Sequence, residues 1–267
     1  MRVVSVQLDI PAGETKAKRV ERAARLVESL AGADLVVLPE IWNVGYFRFD
    51  RYAKEAEAVD GPTVSRLAAA AESIRAWVAA GSFVERDGDR LHNTSVMLDR
   101  AGGVAGTYRK IHLFGYGSRE PEVLTPGNRV SVVDTEFGRV GMATCYDLRF
   151  PELFRAMVDD GAQGFVVPSA WPYPRVEAWA VLNRARPIEN QAWLVSSNCT
   201  GGSSAAGYCG RSMVVDPWGT ALASGGDRPG LVTADLDPEE TARARAEFPA
   251  LRDRVLRRAV VGKGDPR

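Results

Sequence analysis

Short apolar runs rich in β-branched residues recur along the whole chain. Val3–Leu8, Leu35–Leu38, Trp77–Val84, Ser95–Leu98, Val130–Val133, Val140–Thr144, Gly164–Val167, Trp193–Ser196 and Ser212–Val215 are the clearest, and several are continuous rather than alternating. A strand that is apolar on both faces has to be covered on both faces. Helical patterns lie between the runs and can supply that cover. Val20, Ala23, Ala24, Val27 and Leu30 fall on one helical face, with Lys and Arg on the other. Val64, Leu67, Ala68 and Ala71 repeat the pattern after Asp60–Gly61–Pro62. A further helix is predicted from Pro151, a residue suited to the first helical position, and another over roughly Glu177 to Asn190. In the middle of the chain, Asp87–Gly88, Gly102–Gly103 and Thr135–Gly138 read as tight turns between strands. The expectation is an α/β layered protein with much antiparallel pairing. No repeat or linker divides it, so residues 1–255 are read as one domain and 256–267 as a basic C-terminal tail.

Charge and cysteine usage narrow the function. Lys+Arg and Asp+Glu are equal at 34 each, so no basic surplus is available to track a phosphate backbone, and a dedicated nucleic-acid binder is not expected. The N-terminal MRVVSVQLDI meets Gln7 and Asp9 too soon for a secretory signal or a membrane span. That predicts a soluble, cytoplasmic protein with no membrane partner. Three cysteines (145, 199 and 209) do not read as a disulfide framework in a chain of 267 residues. The only histidines are His92 and His112, and no zinc-type Cys/His spacing occurs. No metal and no organic cofactor is expected.

Three charged or nucleophilic residues end strand-like runs. Cys145 follows Arg139–Thr144 and precedes the helix signals at Phe150–Pro151. A thiol on such a turn lies beside free helix N–H groups, which favours its thiolate; the alternative is a buried structural cysteine. Glu40 follows Leu35–Pro39, and Lys110 ends the strand-like run Val104–Tyr108 in Tyr108–Arg109–Lys110. Ligands of open α/β sheets gather at the carboxyl ends of strands, so these ends can supply a base, a cation and a nucleophile. Singly, Glu40 reads more readily as a helix-capping or surface carboxylate and Lys110 as a solvated strand end. His112 remains open as an alternative partner for the thiol, in the manner of a papain-like Cys–His pair.

Around those residues lie L-P-E-I-W-N-V-G-Y (38–46), Y-R-K-I-H-L-F (108–114) and C-Y-D-L-R-F-P-E-L (145–153). R-E-P-E-V-L-T-P-G (119–127), A-R-P-I-E-N-Q (185–191) and M-V-V-D-P-W-G (213–219) accompany them. In this order the segments resemble the signature of the nitrilase, or carbon–nitrogen hydrolase, superfamily, from residue 3 to about 255. The resemblance implies a four-layer α-β-β-α sandwich that assembles as a homodimer or higher homo-oligomer. It also implies Cys145 as nucleophile, Glu40 as general base and Lys110 as the cation facing the tetrahedral intermediate. Glu120 matches a second glutamate that helps to position substrate, and the N–H of Tyr146 a second oxyanion donor.

The 145–153 segment is most similar to omega-amidases and deaminated-glutathione amidases. The reaction so implied is hydrolysis of a small carboxamide to acid and ammonia through a thioester, on a dicarboxylic acid monoamide. An N-carbamoyl amide hydrolase or a nitrilase would use the same triad, and a silent binding member would carry a substituted triad residue, which this chain does not. A second substrate carboxylate calls for a cation, and Arg149 and Arg175 are the candidates, although Arg149 could instead pair internally with Asp147 or Glu152. Trp171 and Tyr46 are expected to wall the pocket, and His112 to be a hydrogen-bonded structural residue. Phe150, Leu153, Phe154 and Met157 on Phe150–Asp160 are expected to form the contact between protomers.

Overall fold

The computed structural model describes residues 1–202 and 207–255; the tail 256–267 lies outside the described residues. The first half of the chain runs β1 (Arg2–Gln7), α1 (Lys16–Glu28), β2 (Leu35–Val37), α2 (Tyr52–Glu55), α3 (Pro62–Ile74), β3 (Trp77–Asp87), β4 (Arg90–Leu98), β5 (Val104–Arg109) and α4 (Glu120–Val123). The second runs β6 (Val132–Thr135), β7 (Gly138–Met142), a 3-10 turn at Cys145–Arg149, α5 (Pro151–Asp159), β8 (Gly164–Ser169), α6 (Val176–Asn190) and β9 (Trp193–Asn198). It continues through the ribbon β10 (Thr200–Gly201) and β11 (Tyr208–Cys209), then β12 (Met213–Val215), β13 (Ala221–Ser224), β14 (Gly230–Asp235) and α7 (Glu240–Glu247).

Two six-stranded sheets result, in the orders β14-β1-β2-β3-β4-β5 and β13-β12-β9-β8-β7-β6. Both follow one plan. Three parallel strands (β1, β2, β3 in one sheet and β7, β8, β9 in the other) carry one antiparallel neighbour on one side and two on the other. The parallel strands explain the continuous apolar runs: β2, β8 and β9 are buried at every position. Val20, Ala23, Ala24 and Val27 of α1 and Val64 and Leu67 of α3 pack with Val4, Val36 and Val78 on the outer face of the first sheet. Leu153, Phe154 and Met157 of α5 and Trp179 of α6 join the core built on the second sheet, which also holds the inner residues Val3, Leu35, Val37 and Ala79 of the first. Four layers, α-β-β-α, are therefore complete within one chain.

That arrangement corrects the expected role of α5. Its apolar stripe (Leu153, Phe154 and Met157) is buried against the chain's own sheet and is not available to a second protomer, and Phe150, half-buried, lies flat against His112. Strands β13 and β14 and helix α7 escaped the sequence reading because most of their side chains are exposed, so no apolar period marks them. Among the described residues no helix is long and apolar enough to cross a membrane.

The two sheets are joined by polar as well as apolar contacts. Ser5 Oγ donates to the Ser196 carbonyl at 2.8 Å, and Ser197 Oγ to the Val6 carbonyl at 2.7 Å. Gly164, the first residue of β8, lies beneath the Trp193 ring of β9, and a Cβ there would stand 1.9 Å from the indole. Gly164→Ala is expected to destabilise the protein by about 2 kcal/mol or more, as overpacking of a tight core does. A urea denaturation midpoint that falls at unchanged slope checks it; an unchanged midpoint would show that the ring has room to move.

Candidate active site

The ends of β2, β5 and β7 bring Glu40, Lys110 and Cys145 to one edge of the sandwich. Cys145 opens the 3-10 turn with φ of 48°, in the left-handed region. Ile41, beside Glu40, has φ of 39°. Holding non-glycine residues there costs of order 1–3 kcal/mol each, so the surroundings must fix them. For Cys145 the fixing group is Asp147. Its Oδ2 accepts from the Thr144 N–H (2.9 Å) and the Tyr108 hydroxyl (2.8 Å). Its Oδ1 accepts from the His112 N–H (3.2 Å) and meets His112 Nδ1 at 2.7 Å. The Tyr146 N–H falls in the first turn of the 3-10 segment, where backbone donors have no acceptor within the helix.

Below the thiol lies a buried cluster of charge. Lys110 Nζ donates to Glu40 Oε1 at 2.8 Å and to Glu120 Oε1 and Oε2 at 3.1 and 3.0 Å. Asn93 Nδ2 donates to Glu40 Oε1 (2.8 Å) and Glu120 Oε1 (2.9 Å). The second oxygen of Glu40 accepts the Ala170 N–H at 2.9 Å, and the Cys145 thiol hydrogen-bonds the same carboxylate. Glu120 Oε2 also accepts the Tyr46 hydroxyl (2.9 Å) and the Phe114 N–H (2.7 Å). The Glu120 carboxylate thus takes five hydrogen bonds from four donors, which leaves it a holder of Lys110 rather than a group facing the pocket.

The sequence model of the carbon-nitrogen hydrolase family matches residues 2–246 of this chain. The chain belongs to the carbon-nitrogen hydrolase family. A 2-oxoglutaramate amidase of Paenarthrobacter nicotinovorans is 36% identical to this hydrolase over 260 residues, covering 94% of this chain and 88% of the relative. A protein of the same name from Bacillus subtilis is 34% identical over 252 residues, covering 93% and 95%. Among solved structures, a carbon–nitrogen hydrolase superfamily protein of Xanthomonas campestris with an arsenic adduct in its active site superposes with a TM-score of 0.89. It is 30% identical, and the match covers 98% of this chain and 99% of that one. The expected four-layer nitrilase fold is thereby shown.

In this hydrolase burial dominates the titration of the site. It pushes the Glu40 carboxyl up, assisted by Glu120 and opposed by Lys110. It pushes the Cys145 thiol well up too, with Glu40 adding to the shift. The thiolate expected at a helix N-terminus is therefore not the resting state: carboxylate and burial outweigh the helix end and Lys110, and the thiol stays protonated. Burial alone would lower Lys110, but the charges of Glu120 and Glu40 more than offset it and hold the ammonium protonated.

The cleft over Cys145 is narrow, with a cavity volume of about 20 Å³, and is lined by Tyr46, Phe114, Tyr146, Trp171 and two arginines, Arg149 and Arg175, among others. Arg149 lies over the Trp171 ring at 5.0 Å, and Arg175 over Phe114 and Tyr116 at 5.5 and 5.4 Å. Neither has a carboxylate partner among the described residues, so the internal pairing of Arg149 with Asp147 or Glu152 is not formed. Asp147 is occupied by Tyr108, Thr144 and His112, and His112 is turned to Asp147 and Phe150 rather than to the thiol. Among the described residues, no three Cys, His, Asp or Glu side chains are placed to hold a metal ion.

Sequence reasoning passed over Asn93, Asp147 and the Ala170 N–H. Asn93 was hidden inside the strand-like run H-N-T-S-V-M-L, where a polar residue suggests a solvent face. Two sheets packed together bury that face instead: Asn93, Thr94 and Ser95 are at most 1% exposed. In the role of base expected for Glu40, a carboxyl held above its ordinary value of 4.5 accepts a proton only above that raised pKa. The acid limb of kcat/KM should therefore lie above pH 4.5 and fall away as pH drops through it. A pH–rate profile flat down to pH 4.5 would contradict the burial of the base.

Proposed function

We propose that this hydrolase cleaves the amide of a dicarboxylic acid monoamide through a Glu40–Lys110–Cys145 triad. The observation that carries the reading is the buried Cys145 thiol against the Glu40 carboxylate, whose Oε1 sits 2.8 Å from the Lys110 ammonium. Glu40 takes the thiol proton as sulfur attacks the amide carbon. The charge on the former carbonyl oxygen meets the Tyr146 N–H and the field of Lys110; each such contact is worth about 2.7–4 kcal/mol where one has been removed. The amide nitrogen takes the proton from Glu40 and leaves as ammonia, giving a thioester. Glu40, again a carboxylate, takes a proton from water as the water attacks, and the acid leaves as the thiol is restored.

The substrate class is supported by the named activity of the relatives and by the two arginines. A cleft floored by Cys145 and rimmed by two cations without acidic partners suits a short chain with an amide at one end and a carboxylate at the other. Trp171, Tyr46 and Phe114 give such a chain apolar walls. We further propose a homodimer that acts in the cytoplasm. Exposed Val181 and Ile188 on α6, near Trp218, offer an apolar surface that α5 does not. The three free cysteines suit a reducing compartment.

Ammonia release from a panel of ω-amides, N-carbamoyl compounds, nitriles and simple monoamides tests the reading. The ω-amides should be preferred, and Cys145→Ala should abolish turnover of all of them. Arg175→Met and Arg149→Met should raise KM for ω-amides by about 10-fold or more, the worth of a charge-assisted hydrogen bond. They should leave an uncharged monoamide almost unaffected. Equal losses on both substrates would remove the arginines as carboxylate receptors.

A further inference from the structure

Asn93 lies outside every signature segment, but its contacts reach all three charged groups of the site. Its Nδ2 hydrogens are shared between Glu40 Oε1 and Glu120 Oε1 at 2.8 and 2.9 Å. Its backbone carbonyl accepts the Lys110 N–H at 2.8 Å, which fixes where that lysine leaves β5. The residue sits on β4 opposite Val84 of β3 and is 1% exposed. The direction of the amide is dictated by its neighbours, because the reverse orientation would aim its oxygen at two carboxylate oxygens. That leaves Asn93 Oδ1 buried with no hydrogen-bond partner among the described residues. Such an orphan lowers stability, so fold stability alone does not account for an amide at this position.

We propose that Asn93 is a positioning residue that keeps Glu40 ionised and selects which of its oxygens serves as the base. Two carboxylates share one ammonium here, an arrangement that drives protons onto one of them. Neutral donors offset the repulsion without adding charge, and Asn93 gives one to each carboxylate. The second effect is geometric. Oε1 of Glu40 has both in-plane lone pairs occupied, by Lys110 and Asn93. Oε2 has one occupied by the Ala170 N–H, so a single lone pair is left for the thiol proton. Without Asn93, Oε1 competes for that proton from a position turned toward Lys110.

This inference rests on Glu40 acting as base toward Cys145, and its test is independent of which amide is the substrate. The rate of Cys145 alkylation by iodoacetamide is followed across pH by intact-protein mass spectrometry, with Cys145→Ala as the blank. In Asn93→Leu the lower-pH step of the profile should move upward by about one unit or more, as loss of a donor to an ionised carboxylate requires. The acid limb of kcat/KM on an ω-amide should move with it, so that raising the pH restores part of the lost rate. Asn93→Ser keeps one donor and should shift less in the same direction; it decides the matter if Asn93→Leu does not fold. A folded variant whose profile coincides with wild type, or whose rate falls by one factor at every pH, overturns the proposal. Failure of the ω-amide panel beside a shifted alkylation profile would count against the substrate alone.

Discussion

One ammonium shared by two carboxylates, with all three groups buried, is the interaction on which the rest of the structure depends. Lys110, Glu40 and Glu120 are each at most 1% exposed. Taking such charges from water costs several kcal/mol per ion, returned only where the geometry is close and every lone pair is occupied. The fold meets that condition from many directions: Tyr46 from the segment after β2, Asn93 from β4, the Phe114 N–H from the loop after β5 and the Ala170 N–H from the end of β8. Removing any one of these donors would leave a buried carboxylate oxygen short of a partner. The requirement to satisfy this cluster explains why polar side chains occupy the interior of strands that packing alone would fill with valine.

The same enclosure sets the resting state of the Cys145 thiol. A protonated thiol is a weak nucleophile, so in the proposed reaction its activation waits until a substrate carbon is in place to receive the sulfur as the proton leaves. The strained turn at Cys145 keeps the side chain at the floor of the cleft, and the Asp147 contacts to Thr144, Tyr108 and His112 keep the turn from relaxing. Stacking of His112 on Phe150, and of Phe150 edge-on to Tyr146, carries that restraint to the pocket wall. A resting thiol of this kind resists adventitious oxidation better than a thiolate does.

What the sequence made legible follows from where each residue sits in the chain. Glu40, Lys110 and Cys145 close apolar runs, and a charged residue at the end of a buried strand is a visible event. The helices over Lys16–Glu28, Pro62–Ile74 and Val176–Asn190 carry clear signals in spacing or in proline. Asp147 was harder, because its nearest charged neighbour in sequence, Arg149, is not its partner in space; Tyr108 and His112 arrive from another sheet. Asn93 was harder still. Alternation rules assign polar strand residues to water, and only the stacking of a second sheet converts that face into an interior. The apolar stripe of α5 was read correctly as a stripe, but sequence carries no sign of whether its cover is the chain's own sheet or another molecule.

The return of β14 to the first sheet has a consequence for how the chain is made. Its residues Gly230–Asp235 pair with Arg2–Gln7 at the far end of the sequence, so β1 keeps a bare edge throughout synthesis of nearly everything that lies between. An unpaired edge rich in valine is a template for other chains, and contacts this distant in sequence form late. The edge of β1 is therefore an association-prone surface until β14, far along the chain, has been made and has paired with it.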